Sequence, residues 1–268
     1  VIIIMAICVF SIVEINPPTQ SAGKSSLVKD ISSLVKNKYY IMFLGEVFFL
    51  FLGYLSMYGA MQYYYTYIVG DVSGMSLALT LLTLLAIPTM ILAAYLNGKG
   101  IAKIKLIQFG AIVDIIGYAI LFFTSDGTIA TAALGLIGLG FGFRSSMFFS
   151  MMPDIFDYTE WQVGRNLGGT QNAIQGFVNK VSSAAASAIV SALLVWGNYD
   201  ASKLDKAIAD GVDIATKYPQ THTAINFAFG GLALVSTVMA VVVLLPYDLD
   251  KKYPQIRADL DKRHKENA

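Results

Sequence analysis

Six apolar runs, each about 20 residues or longer, constrain this chain more than any other feature of its sequence. The hydrocarbon core of a bilayer is about 30 Å thick, and about 20 helical residues cross it. A helix also satisfies its own backbone hydrogen bonds in lipid. The sequence therefore predicts an all-α membrane protein with a bundle of six spanning helices. The expected spans are Tyr40 to Val69, Met75 to Leu96, Ile104 to Phe123, Thr128 to Met152, Thr170 to Trp196 and Thr221 to Leu245.

Composition agrees with a membrane protein and excludes several classes of function. Of the 268 residues 56% are hydrophobic and only 14% are charged, whereas about a quarter are charged in soluble domains. A net charge of +1 gives no reason to expect nucleic acid as a partner. The single cysteine, Cys8, and two distant histidines, His222 and His264, match no familiar zinc-site spacing. We expect no metal site and no cofactor.

The chain begins at Val1 in the middle of an apolar segment, without the basic start of a signal peptide. This beginning predicts a fragment whose upstream part is missing. Within the linker, residues Ser25 to Lys36 space their apolar side chains as an amphipathic surface helix does. Four parts are expected: the end of a sixth transmembrane helix (1–13), a cytoplasmic linker with an amphipathic helix (14–39), a six-helix C-terminal bundle (40–245) and a cytoplasmic tail (246–268).

Lysine and arginine are distributed unevenly between alternate loops. The linker, the loops 97–105 and 153–169 and the segment after 246 contain 14 basic residues together, whereas the opposite loops contain 3, all within 197–220. Basic loops remain in the cytoplasm under the positive-inside rule. The sequence therefore predicts a multi-pass protein of the cytoplasmic membrane with its C-terminus in the cytoplasm.

Lys180 lies near the middle of the expected span Thr170 to Trp196, where an ammonium group costs a few kcal/mol or more. Such a charge normally faces a water-filled cavity or a paired carboxylate. At about 100° per residue, the polar side chains of this span form one stripe, with Lys180 at its edge. The stripe consists of Asn172, Gln175, Asn179 and Ser183. It favours a substrate-binding face, although the amides alone are also typical of hydrogen bonding between membrane helices.

Three further side chains within the spans carry candidate roles. Arg144 follows the glycine-rich run LGLIGLGFGF (134–143), which permits close helix contact, and its depth favours a cavity-facing position. Asp114 is a candidate partner for Lys180 or Arg144. Tyr64 lies among tyrosines near the outer end of its span, which is typical of an interfacial belt and also compatible with stacking on a sugar.

The segment 153–169 holds Asp154, Asp157, Glu160 and Arg165 directly after a membrane span. Paired carboxylates can serve acid–base catalysis or metal binding. Neither a nucleophile nor a histidine nor a phosphate-binding loop accompanies them, so a charge network that closes the cytoplasmic side is favoured over catalysis.

Four segments resemble the glycoside-pentoside-hexuronide:cation symporters, the major-facilitator branch that contains the melibiose permease. They are YYTYIVGD (64–71), PDIFDYTEWQVGR (153–165), the segment from Gln175 to Lys180, and PYDLDKKYPQIRADLDKR (246–263). The resemblance implies a chain that forms the C-terminal half of a two-half bundle around a midplane site. It also implies that Lys180 and Gln175 lie on the sugar-facing wall and that Asp154 to Arg165 belongs to a cytoplasmic gate.

The resemblance further implies alternating-access symport of a glycoside, pentoside or hexuronide, without covalent chemistry. The expected partners are the sugar, the lipid bilayer and the N-terminal half of the same transporter. That half is expected to bind most of the coupling cation, Na⁺ or H⁺. A non-transporting membrane scaffold or sugar sensor on the same fold is the alternative.

Overall fold

A computed structural model describes residues 27–266 of the chain, with side chains from residue 29 onward. The expected end of a helix at 1–13 lies outside the described residues. Within them the chain is helical throughout, with loops between the helices. The helices are α1 (Leu27–Lys36), α2 (Lys38–Val69), α3 (Ser73–Gly98), α4 (Lys103–Phe123), α5 (Gly127–Val163), α6 (Gly168–Trp196), α7 (Ala201–Ala209), α8 (Ile214–Lys217), α9 (Pro219–Leu244) and α10 (Leu249–Glu266).

Six of these helices, α2 to α6 and α9, are long and apolar enough to cross a membrane, which confirms the predicted number of spans. Two contain a wider turn, π-helical at Tyr64–Val69 in α2 and at Phe227–Gly231 in α9. The amphipathic helix predicted in the linker is also present as α1. One of its apolar side chains, Leu34, is buried against the bundle, while Ile31 and Val35 remain exposed.

The six spans form two groups of three. Helix α5 packs against both α3 and α4, and α2 packs against both α6 and α9. The glycine-rich run of α5 allows this helix to approach both α3 and α4 closely, as predicted. A Cβ at Gly138 would collide with the backbone of Leu82 on α3, and a Cβ at Gly140 would collide with the carbonyl oxygen of Gly110 on α4.

The main difference from the predicted boundaries concerns α5, which continues to Val163 instead of ending at Met152. Its 37 residues extend about 55 Å, well beyond the hydrocarbon core, so the helix projects from the membrane. Pro153 is accommodated within it, and Thr159 on the projecting part is buried. The Thr159 hydroxyl accepts hydrogen bonds from the side-chain amides of Asn37 and Gln171, each at 2.9 Å, which joins α5 to the starts of α2 and α6.

Candidate functional site

Helix α6 presents a polar face that the rest of the described chain leaves open. It is the least buried of the six spans: 17% of the residues in its most apolar stretch are buried, compared with 67% for α5. Lys180 and Asn172 are both exposed on this helix. Lys180 lies 12 residues after Gly168, or roughly 18 Å along the axis, and therefore near mid-membrane depth. At that depth its ammonium group requires water or a polar partner.

Gln175 and Asn179 lie on the same helix but turn partly toward the bundle. Both side chains are partly buried, and their carbonyl oxygen atoms, Oε1 of Gln175 and Oδ1 of Asn179, are enclosed without a hydrogen-bond partner. A buried amide oxygen without a donor is uncommon, because its desolvation costs about 1–3 kcal/mol. The stripe expected from the sequence is therefore divided, with an exposed part at Lys180 and Asn172 and a partly buried part with free acceptors.

Arg144 does not face a cavity, contrary to the expectation from its depth. Its side chain is only 2% exposed and lies between two carboxylates. It donates hydrogen bonds to Glu46 on α2 at 2.9 Å and to Asp114 on α4 at 3.0 Å. Asp114 thus pairs with Arg144, one of its two expected partners. Burial of the three charged groups among helices makes this a cluster inside the bundle, separate from the open face of α6.

Aromatic pairs lie on both sides of this cluster along the α2–α5 contact. Phe43 stacks on Phe148 with ring centroids 4.9 Å apart, and Tyr54 stacks on Phe141 at 5.0 Å. Because the three charged side chains are at most 3% exposed, the ion pairs of Arg144 lie in a low-dielectric environment, where unpaired charge is costly.

Tyr64 is also placed inside the bundle rather than at the open face of α6 or in an interfacial belt. Its side chain is fully buried, stacks on Phe229 at 4.4 Å and donates a hydrogen bond to the carbonyl of Thr124 at 3.0 Å. These contacts connect α2 with α9 and with the end of α4. Neither Tyr64 nor Arg144 is brought together with Lys180.

The four charged residues assigned to a gate lie on and just after the projecting part of α5, and each is paired with a polar or charged side chain on another helix. Asp154 pairs with Lys103 of α4 at 2.6 Å. Asp157 pairs with Arg257 of α10 at 3.0 Å and accepts a hydrogen bond from the Tyr253 hydroxyl. The hydrogen bond and charge of Asp157 hold the pKa of Arg257 above its ordinary value, so the guanidinium stays charged at neutral pH.

The other two contacts extend the same network. Glu160 accepts a hydrogen bond from His264 of α10 at 2.7 Å, and Arg165 pairs with Asp30 of α1. The side chains of Asp154 to Arg165 therefore tie the projecting end of α5 to α1, α4 and α10. They form a charge network rather than an assembled acid–base pair, and among residues 27–266 no group of three ligating side chains is placed to hold a metal ion.

Helix α10 was not foreseen as a structured partner of this network. The segment after residue 246 was expected only as a cytoplasmic tail. Its apolar residues Leu249, Ile256 and Leu260 are buried against the bundle. Their spacing of seven and four residues is typical of one face of a helix, so the sequence did contain the pattern that predicts α10.

Comparison with known proteins assigns the chain to a family. The model of the family described as MFS/sugar transport protein matches residues 1–251. The chain belongs to this sugar transport family. Membership of a transport family, within the major facilitator superfamily, confirms the resemblance seen in the sequence and sets the chain apart from enzymes.

Individual relatives of this sugar transport protein are distant. An isoprimeverose transporter of Lactiplantibacillus pentosus is 26% identical over 274 residues, covering 99% of this chain and 54% of the relative. The inner membrane symporter YicJ of Escherichia coli K12 is 28% identical over 199 residues, covering 73% and 39%. A glucuronide carrier protein homolog of the same strain is 23% identical over 168 residues, covering 62% and 34%. The chain thus spans about half, or less, of the length of these relatives.

Proposed function

We propose that this chain takes part in cation-coupled symport of a glycoside, pentoside or hexuronide by alternating access, as the C-terminal bundle of a two-bundle transporter. The observation that carries the proposal is the open polar face of α6. Lys180 is exposed at a depth where lipid would be unfavourable, and Asn172 is exposed on the same helix, in a chain of a sugar transport family.

The chemistry of this face suits a sugar. An ammonium group donates hydrogen bonds, and amide side chains both donate and accept them, which matches the hydroxyl groups of a sugar or the carboxylate of a uronide. In our proposal Lys180 is the central donor, and Asn172, Gln175 and Asn179 supply further polar contacts. Gln175 and Asn179 offer free acceptor oxygens, which a ligand hydroxyl or a bound water molecule would satisfy.

Arg144 and Tyr64 take a different role in this proposal. Their contacts are all within the bundle, so they fix the positions of α2, α4 and α5 behind the polar face. We assign sugar contacts to the residues of α6, and the position of that wall to the buried ones.

The network on the projecting end of α5 fits a cytoplasmic gate in the same scheme. Opening of the cytoplasmic side requires ionic contacts that break and re-form, and pairs near solvent do so at low cost because each one contributes little stability. The ion pair Asp157–Arg257 is of this kind, and the hydrogen bond Glu160–His264 lies equally near solvent, since Arg257 and His264 are more than half exposed. The excess of basic residues places this side, and with it the C-terminus, in the cytoplasm in our proposal. The coupling cation, Na⁺ or H⁺, would be bound mainly by an N-terminal bundle.

Protection of a cysteine by sugar tests the site directly. In the complete gene product with Cys8→Ser, we expect sugar to slow maleimide labelling at Asn172→Cys and to leave labelling at Val181→Cys unchanged. Val181 is a matched control because it is exposed on another side of the same helix. Equal labelling rates with and without every sugar class tested would favour the scaffold or sensor alternative.

A further inference from the structure

The buried cluster of Glu46, Arg144 and Asp114 has unequal numbers of acidic and basic groups. One guanidinium faces two carboxyl groups, and all three side chains are at most 3% exposed. Each carboxyl group uses one oxygen to accept from Arg144. The other oxygens, Oε2 of Glu46 and Oδ1 of Asp114, are buried and receive no hydrogen bond from the described residues. With both groups ionised, the cluster would hold one uncompensated negative charge.

The surrounding helices offer no compensation for that charge. Helices α3, α6 and α9 contain one ionisable side chain each, namely Tyr95, the exposed Lys180, and His222 near the outer end of α9. The charged neighbours of Asp114 are Arg144 and Glu46, and the phenol of Tyr118 on α4, which lies near Asp114 and Arg144, supplies no positive charge. An uncompensated carboxylate buried between helices costs several kcal/mol, and such a group normally becomes neutral instead.

A proton relieves the charge better than a metal cation does. A sodium ion beside the carboxyl groups would also lie close to the guanidinium of Arg144 and would be repelled by it. A proton adds no volume and converts a free carboxyl oxygen into a donor.

The geometry favours Asp114 as the carrier of the proton. A Cβ at Gly140 would collide both with Oδ1 of Asp114 and with the carbonyl oxygen of Gly110, so these two oxygen atoms approach the same point. Gly110 lies four residues before Asp114 on α4, and a side-chain hydroxyl in a helix commonly donates to the carbonyl at that position. The Gly110 carbonyl is therefore the acceptor that we assign to a proton on Oδ1.

We propose that the Glu46–Arg144–Asp114 cluster is a proton-binding site of the folded chain. Asp114 carries the proton on Oδ1 and donates it toward the Gly110 carbonyl, while its Oδ2 accepts from Arg144. Glu46 remains ionised as the counter-ion of Arg144. This site is separate from the polar face of α6, and its occupation by a proton does not depend on which ligand that face binds.

Infrared spectroscopy of the complete, purified protein tests the proposal, because a protonated carboxyl group absorbs at a higher frequency than a carboxylate. At neutral pH we expect a band equivalent to one protonated carboxyl group per chain. Asp114→Asn should abolish the band, since the amide keeps the hydrogen bonds but has no titratable proton. Glu46→Gln should abolish it as well, because Asp114 must then ionise to balance Arg144.

The control is Asp210→Asn, which removes an exposed carboxylate from the outer loop and should leave the band intact. Absence of the band from the wild-type protein at neutral pH would overturn the proposal without any variant. A band that persists in Asp114→Asn would place the proton elsewhere, and one that survives Glu46→Gln would contradict the charge balance; either result overturns the assignment.

Discussion

Replacement of Gly138 by alanine probes the closest contact between α3 and α5. The three atoms nearest to a Cβ at this position all belong to the backbone of Leu82, and all lie closer than real Cβ contacts do. A backbone cannot rotate away as a side chain does, so the two helices must separate. Overpacking of this kind costs about 1–3 kcal/mol, and we expect the upper end because neighbouring contacts in the same interface, such as Gly142 against Thr89, loosen together.

The higher helix propensity of alanine offsets about 1 kcal/mol of this cost, so the free energy of unfolding should fall by roughly 2 kcal/mol in Gly138→Ala. For a chain of this size that loss lowers Tm by about 4–8 °C. The matched control is Gly59→Ala on α2, where a Cβ meets nothing within 4 Å and where we expect an unchanged or slightly higher Tm. Thermal unfolding of both variants in detergent decides the matter. Equal Tm values for the two would refute the close packing described for α5.

Two further predictions concern charged groups. Neutralisation of Glu46 or Asp114 alone leaves Arg144 with one carboxylate. The double variant Glu46→Gln/Asp114→Asn leaves Arg144 unpaired, and we expect it to lower the free energy of unfolding by about 3–5 kcal/mol. Denaturant unfolding should show that this loss far exceeds the sum of the two single losses. The second concerns Asp248, where the hydrogen bond from Lys252 lowers the pKa of the carboxyl group to about 2. Because the pKa of Asp248 is lower in the folded state than in the unfolded chain, the stabilising contribution of this carboxylate is present above about pH 4 and is lost as pH falls toward about 2. The Tm of the wild type should therefore decline in that window, and the Tm of Asp248→Asn should decline less.

The positions of the six spans were predictable within a few residues because length and hydropathy decide them. Helix α5 was the exception. Its polar continuation after Met152 has the composition of a loop, yet Ile155 and Thr159, four residues apart, are buried on one side of a continuing helix. The tail helix α10 was overlooked for the same reason, because the mean hydropathy of a polar amphipathic segment hides its apolar spacing.

The roles of individual side chains were less predictable, because they depend on how each helix is rotated about its axis. The sequence identified Lys180 and its amide neighbours from their angular positions, but only packing against α2 separates the exposed Asn172 from the partly buried Gln175. Arg144 was expected at a cavity from its depth alone. The other charged residues within the spans would have predicted a buried position for Arg144 instead, since Glu46 and Asp114 also need a partner of opposite charge there.

The most direct test of the central claim is sugar-evoked cation movement in vesicles that contain the complete gene product, screened with xylosides, galactosides and glucuronides. We predict that one sugar class drives proton or sodium flux. Lys180→Ala should weaken the apparent affinity about 10- to 100-fold, as expected for loss of a charged hydrogen bond, while Lys206→Ala on the exposed helix α7 should not. The account would be contradicted if folded, inserted protein showed no cation flux with any of the three sugar classes, or if Lys180→Ala retained full uphill sugar uptake.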